Sequence, residues 1–278
     1  MRLGRSIALR TFFATLLAIL ASVPYAHAGP PFLTDDPEPV EFRHFEFYTF
    51  STFDRSADGY GVSVPAIELN MGAAPELQLH IVVPMQVSAP FQGPNNFGIG
   101  DIEIGAKYRF LQEKGARQVG VFPMVEALSG DASRGLGNGQ TWFKLPVWVQ
   151  KDLGHGWLTY GGGGYLVNPA PGMRNHPFFG RQIQKDINKK LTLGAEWFNP
   201  GRASFATGNS HILNAGGFYN FTENFCLLFS AGHSIQGDSH TVGYLGLYWT
   251  WGNERSARNA RKETMPVPGS LHGPMASP

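Results

Sequence analysis

The sequence consists largely of short segments in which apolar and polar residues alternate with a period of two. In residues 98–110, Ile104 and Tyr108 share one face of an extended strand, whereas Glu103 and Lys107 share the other. Twelve such segments follow one another, and no long segment shows a helical period. They span approximately residues 41–53, 62–71, 76–87, 98–110, 117–127, 139–150, 156–168, 177–187, 190–199, 210–221, 224–233 and 240–252. This pattern limits the chain to an all-β fold, either a soluble sandwich or a membrane barrel.

The connections between the segments alternate in length. Those after even-numbered segments are brief, as at Asn188-Lys189, whereas those after odd-numbered segments are mostly longer and rich in Gly, Pro, Asn and Ser, as at residues 128–138. An even strand number with short turns on one rim and long loops on the other is typical of outer-membrane barrels. The sequence therefore predicts a transmembrane antiparallel β-barrel of about 12 strands over residues 41–252. Short turns are expected to be periplasmic and longer loops extracellular.

The N-terminus has the features of a secretory signal. Three arginines precede an apolar run from Phe12 to Ala21, and the small-residue motif Ala26-His27-Ala28 follows. We therefore expect residues 1–28 to be a signal peptide and the cell outer membrane to be the destination. Lipid of that membrane is then the first expected partner of the barrel.

Two further segments fall outside the predicted barrel. Residues 29–40 are rich in proline, which cannot donate a hydrogen bond to a central strand, so this segment is either a periplasmic leader or a plug that folds into the lumen. Residues 253–278 carry basic residues and prolines without strand or helix patterning, and we expect them to be disordered.

Charge and cysteine content argue against other classes of protein. The chain has 22 Lys and Arg against 21 Asp and Glu, a balance that gives no reason to expect a nucleic-acid partner. Cys226 is the single cysteine, so no internal disulfide forms. The nine histidines show no metal-ligand spacing, and no metal or other cofactor is expected.

The candidate functional residues are polar side chains that the alternation places in the lumen. In residues 98–110 the acids lie toward the long-loop rim and the bases toward the periplasm. Such charges set ion selectivity in a pore. Alternatively, these charges pair with one another to offset desolvation, and the paired side chains then fill the lumen. The sequence leaves both interpretations open, an ion-selective pore and a filled lumen. The predicted lumen-lining set is Asp101, Glu103, Lys107, Arg109, Glu46, Glu68, Gln78, His80, Lys144 and Glu196.

One short stretch raises the question of enzymatic activity. His233-Ser234, with Asp238 and His240 nearby, contains the residue types of a barrel-embedded lipid hydrolase. Adjacent residues on a strand point to opposite faces, however, so the sequence does not provide the contact between nucleophile and base. We therefore predict that the protein is not an enzyme, and a lipid hydrolase is kept as an alternative.

Several phrases of the sequence are similar to a known family. They are PPFLTDDPEPVE (30–41), GDIEIGAKYRF (100–110), SGDASRGLGNG (129–139), YGGGGY (160–165) and LLFSAGHSIQG (227–237). Together they resemble the transporter-like outer-membrane proteins grouped with the phenol meta-degradation pathway, across nearly the whole mature chain. The resemblance implies a barrel and a transport role for small compounds, with aromatic or apolar compounds as candidates.

These observations predict a passive outer-membrane channel or uptake protein for a small-molecule solute, without covalent chemistry. The alternative from a different class is a structural or surface barrel with a closed lumen. The sequence specifies neither the solute nor the oligomeric state.

Overall fold

Fourteen strand segments and one short 3-10 helix make up the fold in the computed structural model, which describes residues 30–113 and 117–252. The strands are β1 (His44–Arg55), β2 (Gly59–Ala74), β3 (Leu77–Pro90), β4 (Asn96–Ile99), β5 (Ile102–Gln112), β6 (Arg117–Val121), β7 (Met124–Ala127), β8 (Trp142–Gly154), β9 (Trp157–Val167), β10 (His176–Asp186), β11 (Leu191–Asn199), β12 (Ser210–Asn220), β13 (Phe225–Gly237) and β14 (Thr241–Gly252). The 3-10 helix, Ala132–Arg134, lies between β7 and β8. The predicted signal peptide (1–28) and tail (253–278) lie outside the described residues. Within those residues no helix combines the length and apolar character that a membrane crossing requires.

The strands form one closed antiparallel sheet. β1 pairs with both β2 and β14, which closes the cylinder. β4 and β5 both pair with β3 and together form the fourth wall strand. β6 and β7 both pair with β5 and with β8 and form the fifth. The fourteen described segments therefore give twelve wall strands, which confirms the predicted barrel.

Two strands that the sequence predicts to be continuous, residues 98–110 and 117–127, are interrupted. The second is broken at Phe122-Pro123, because proline has no backbone N–H to donate to the ladder. The first is broken at Gly100-Asp101, where the N–H of Gly100 donates to the carbonyl of Pro84 at 2.9 Å. Both breaks leave the order of the wall strands unchanged.

The apolar face of each strand points away from the lumen. Ile104, Leu145 and Leu245 are 52%, 50% and 58% exposed, as residues that face lipid must be. Aromatic rings gather at the short-turn rim, where Phe225 and Trp249 stack with centroids 4.6 Å apart. Aromatic belts of this kind lie at the interface between membrane and water.

β10 carries two charges on this outward face. The ammonium group of Lys185 donates to the carbonyl of His155 and lies 5.2 Å from the ring centroid of Trp157, so this long side chain reaches the polar rim. Arg181 is exposed on the same face and is the cross-strand neighbour of Trp197. β10 therefore accommodates both charges in a regular register with β9 and β11.

The inward face holds two apolar clusters and a segment of chain. One cluster contains Phe32, Tyr48, Phe218, Cys226, Leu228 and Tyr248, and the other contains Phe122, Met124, Trp148, Phe178 and Phe198. Phe32 comes from residues 30–41, hereafter the lumenal segment, and packs among inward side chains of the wall. The sequence left a periplasmic leader and a plug open, and these contacts place the segment inside the barrel.

Candidate lumenal site

Glu196 on β11 binds the beginning of the lumenal segment. Its carboxylate accepts the N–H of Leu33 at 3.0 Å and also the N–H of Thr34. The amide of Asn214 donates to the same carboxylate at 3.0 Å. Hydrogen bonds to an ionised acceptor are stronger than neutral ones. Glu196 is 2% exposed and holds the segment, whereas the sequence predicted only that it lines the lumen.

Lys107 on β5 binds the acidic middle of the lumenal segment. Its Nζ lies 3.0 Å from Oδ1 of Asp35 and 3.5 Å from Oδ2 of Asp36. Burial acts to raise the pKa of Asp35, but the charge of Lys107 and hydrogen bonds from Asp36 outweigh it, so the pKa of Asp35 is lowered. Burial raises the pKa of Asp36 well above its ordinary value. One lysine therefore holds a half-buried and a fully buried carboxyl group, which are in unequal environments.

The end of the lumenal segment is bound near the short-turn rim. Oε1 of Gln78 accepts the N–H of Val40 at 2.9 Å. Nη1 of Arg109 lies 3.7 Å from Oε1 of Glu38, and its Nε lies 2.5 Å from Oε2 of Glu76. Arg109 thus links the segment to the turn between β2 and β3.

A cavity of about 900 Å³ runs beside the lumenal segment. Thr250 and Glu223 line it at the short-turn rim, and Asp54 and Gln86 line it at the long-loop rim. Large side chains fill the opposite half of the barrel, among them Tyr160, Phe178, Phe198 and Gln182. The open space therefore lies off the barrel axis, mainly against β14, β1, β2, β3 and β5.

A row of inward side chains crosses five wall strands beside this cavity. In wall order, successive cross-strand partners are Tyr48, Glu68, Val82, Glu103 and Glu126. His80 lies one inward position away and connects two of the acids, with Nε2 2.8 Å from Glu103 and Nδ1 3.5 Å from Glu68. The imidazole keeps both carboxylates in fixed positions on the wall.

His80 belongs to a neighbouring row of inward cross-strand partners, and Glu46 and Lys144 lie at the two ends of that row. The hydroxyl groups of Tyr48 and Tyr248 donate to the carboxylate of Glu46 at 3.0 and 2.9 Å. Nζ of Lys144 lies 5.9 Å from the ring centroid of Phe178. Both charged side chains line the cavity.

Acids outnumber bases along the cavity. Within residues 30–113 and 117–252, ten acidic side chains and two lysines line it. One of these lysines, Lys107, is already engaged by two carboxyl groups of the lumenal segment. A cavity of this composition attracts cations and repels anions.

The predicted set divides into two groups. Glu46, Glu68, Gln78, His80, Asp101, Glu103, Lys107 and Lys144 line the cavity, whereas Glu196 and Arg109 are outside that lining and bind the lumenal segment. Asp101 has a second role at the long-loop rim. Its carboxylate accepts the N–H groups of Ser129, Gly130 and Asn138 at 3.2, 2.8 and 2.6 Å, which fixes the loop between β7 and β8.

Part of the lining was not predicted from the sequence. Phe50 and Tyr244 are inward residues of β1 and β14, and Glu126 is an inward residue of β7. Phe50 could have been found from the parity of Glu46 on the same strand. Glu126 could also have been found by alternation, because Phe122, Met124 and Glu126 all face inward and the register with β5 continues through the break.

The residues of the hydrolase alternative have other partners. Oγ of Ser234 accepts the backbone N–H of His240 at 3.0 Å. The His240 ring binds Asp54, with Nδ1 3.0 Å from Oδ1. Among the described residues no hydrogen bond joins the Ser234 hydroxyl to an imidazole nitrogen, which nucleophilic catalysis would require. The same part of the chain contains no cluster of three or more His, Cys, Asp or Glu side chains suited to a metal ion.

The fold is similar to solved outer-membrane barrels. An outer-membrane channel from Pseudomonas putida F1 has a TM-score of 0.61 and 14% identity, over 83% of this chain and 100% of that one. The KdgM porin in complex with disordered oligogalacturonate has a TM-score of 0.54 and 11% identity, over 74% and 99%. The translocator domain of the autotransporter NalP from Neisseria meningitidis has a TM-score of 0.50 and 9% identity, over 88% and 97%.

No protein-family model matches the sequence, and no curated protein sequence matches it either. The structural similarity at these identities establishes the fold. The closed antiparallel wall, its outward apolar rows and its aromatic rim together make this chain an outer-membrane β-barrel protein.

Proposed function

We propose that the protein is a passive outer-membrane channel for small solutes. The observation that carries this proposal is the cavity of about 900 Å³ whose lining includes residues of both rims. Twelve strands enclose more space than eight, whose side chains fill the interior. The lumenal segment occupies part of that space and acts as the constriction of the channel.

The acidic lining favours the passage of cations over anions. Small neutral solutes are compatible with the same path, and the sequence resemblance adds aromatic compounds to the solutes worth testing. The solved KdgM porin contains oligogalacturonate, a polyanion that the acidic lining here would disfavour. The similar folds therefore do not imply a shared solute.

Recordings from refolded full-length mature protein in planar lipid bilayers test the channel directly. We expect discrete conductance steps in potassium chloride and a reversal potential that indicates cation preference in a salt gradient. The closed-lumen alternative predicts an intact barrel, recognised by its heat-dependent mobility on gels, that inserts without conductance. A variant that lacks residues 30–40 provides the control, since removal of the constriction should enlarge the steps.

A further inference from the structure

Two half-buried aromatic rings line one wall of the cavity. Phe50 on β1 and Tyr244 on β14 stack with centroids 5.1 Å apart and planes 18° apart, and both are half-buried. Gly246 lies opposite Phe50, and a Cβ there would come within 2.9 Å of the Tyr244 ring. The absence of a side chain at Gly246 thus allows the stacked arrangement.

The Tyr244 hydroxyl group has no hydrogen-bond partner in the part of the chain that the structure describes. Its side chain lines the cavity beside that of Phe50. The ring pair therefore offers a solute two aromatic surfaces.

Two carboxylates lie opposite each other on a second wall. Glu103 on β5 and Glu126 on β7 are direct cross-strand partners, and both line the cavity. His80 binds Glu103, whereas no ion pair among the described residues includes Glu126. Like charges at opposed positions repel each other; Lys144, which lines the same cavity, offsets part of this repulsion, and a bound cation would offset more.

The two walls are separated by a distance that suits a small organic molecule. In wall order, Glu126 lies four strands from Tyr48, the inward neighbour of Phe50. For twelve strands this places the two backbones roughly 20 Å apart, which leaves on the order of 10 Å between side chains. The face of an aromatic ring attracts a cation, and the carboxylates supply the opposite charge.

We infer that the Phe50–Tyr244 ring pair and the Glu103–Glu126 carboxylate pair form a binding site for organic cations that carry an apolar or aromatic group. The inference rests on the proposed channel function in one respect, namely that solutes reach the lumen. It narrows the solute class from small molecules in general to amphipathic ammonium compounds.

Direct binding to the refolded full-length mature protein in detergent tests the site without a need for conductance. Three probes are titrated by calorimetry and by saturation-transfer NMR: benzyltrimethylammonium, tetramethylammonium and benzenesulfonate. We expect benzyltrimethylammonium to bind most tightly, because it alone carries both a ring and a positive charge. Equal binding of benzenesulfonate, or no binding of benzyltrimethylammonium, would overturn the inference.

Variants assign the binding to the two pairs. Phe50→Leu should weaken benzyltrimethylammonium binding about threefold to fivefold, and the Glu103→Gln, Glu126→Gln double variant about tenfold. Phe47→Leu, a change at a lipid-facing position of β1, and Glu113→Gln, at the rim, are the matched controls and should leave binding unchanged. Unchanged binding in Phe50→Leu would also overturn the site.

Two measurements keep the test decisive. If the double variant does not form a barrel, binding at rising salt replaces it, and affinity that does not fall with salt contradicts the role of the carboxylates. Bilayer conductance, recorded separately, reports the proposed channel function. Conductance without selective binding refutes the site alone, and binding without conductance refutes the channel alone.

Discussion

Nζ of Lys107 lies 3.0 Å from Oδ1 of Asp35, and this ion pair joins a wall strand to the lumenal segment across 72 residues of sequence. Lys107 is 4% exposed, so neither solvent nor salt can replace its partners easily. The position of the lumenal segment depends on this contact and on the carboxylate of Glu196.

Replacement of Lys107 should loosen the segment and widen the channel. Lys107→Gln leaves the half-buried Asp35 and the fully buried Asp36 without their cation, and the loss of one partner of a buried pair costs about 3–5 kcal/mol. We expect a lower melting temperature and larger conductance steps. The triple variant with Asp35→Asn and Asp36→Asn should recover much of the stability, and its failure to do so would show that the ion pair does not anchor the segment.

Thiol labelling can report whether the lumenal segment stays bound inside the barrel. A Thr34→Cys variant should react slowly with a maleimide, because Thr34 is fully buried, and native Cys226 is buried as well. Addition of Glu196→Gln removes a charge-assisted acceptor, worth about 1.5–3 kcal/mol, and should accelerate labelling about tenfold or more. Ser133→Cys, in an exposed loop, should react rapidly in both backgrounds.

Ion selectivity should follow the acidic lining. In a potassium chloride gradient, Glu103→Gln with Glu126→Gln should move the reversal potential toward zero, since negative charge leaves the cavity wall. Lys107→Gln should move it the other way. Arg109→Gln is expected to have less effect, because Arg109 is outside the cavity lining and is paired with Glu38 and Glu76.

The pair of His240 and Asp54 at the long-loop rim should be sensitive to pH. The hydrogen bond that the His240 ring donates to Asp54 raises the pKa of His240, so the imidazole stays charged to a higher pH than usual. The contribution of the pair to stability is fully present below about pH 6.5 and is lost as the pH rises through the raised pKa.

An NMR titration of the His240 ring in micelles measures this effect. Asp54→Asn should lower the pKa of His240 toward its ordinary value. Asp238→Asn should lower it less, because Asp238 acts only through its charge, without a hydrogen bond to the ring. An equal shift in the two variants would contradict the assignment to Asp54.

Asp101 should protect the loop between β7 and β8 from proteolysis. Its carboxylate accepts three backbone N–H groups, and Asp101→Asn would replace one accepting oxygen with a donor, at a cost of about 1–3 kcal/mol. Trypsin should then cut faster after Arg134, in the exposed 3-10 helix of this loop. Asp131→Asn, which alters only the cap of that helix, should have a smaller effect.

The wall of the barrel could be predicted from the sequence because the patterns that define it involve residues close together in sequence. Alternation assigns each residue to one face, and the lengths of the connections separate the two rims, so the twelve strands and the inward positions of Glu68 and Lys107 followed from neighbours in sequence. The break at Pro123 in the fifth wall strand was not predicted, although proline has no N–H to donate, and the break leaves the inward direction of Glu126 unchanged.

The interior depended on contacts that sequence spacing does not contain. Residues 30–40 gave no strand pattern, and only the tertiary structure showed that their backbone and carboxyl groups meet Glu196 and Lys107 inside the barrel. The position of the cavity is likewise a property of the closed cylinder. Which half of a lumen fills depends on the sizes of side chains from strands far apart in sequence, here Tyr160 and Phe178 on one side and Phe50 and Glu103 on the other.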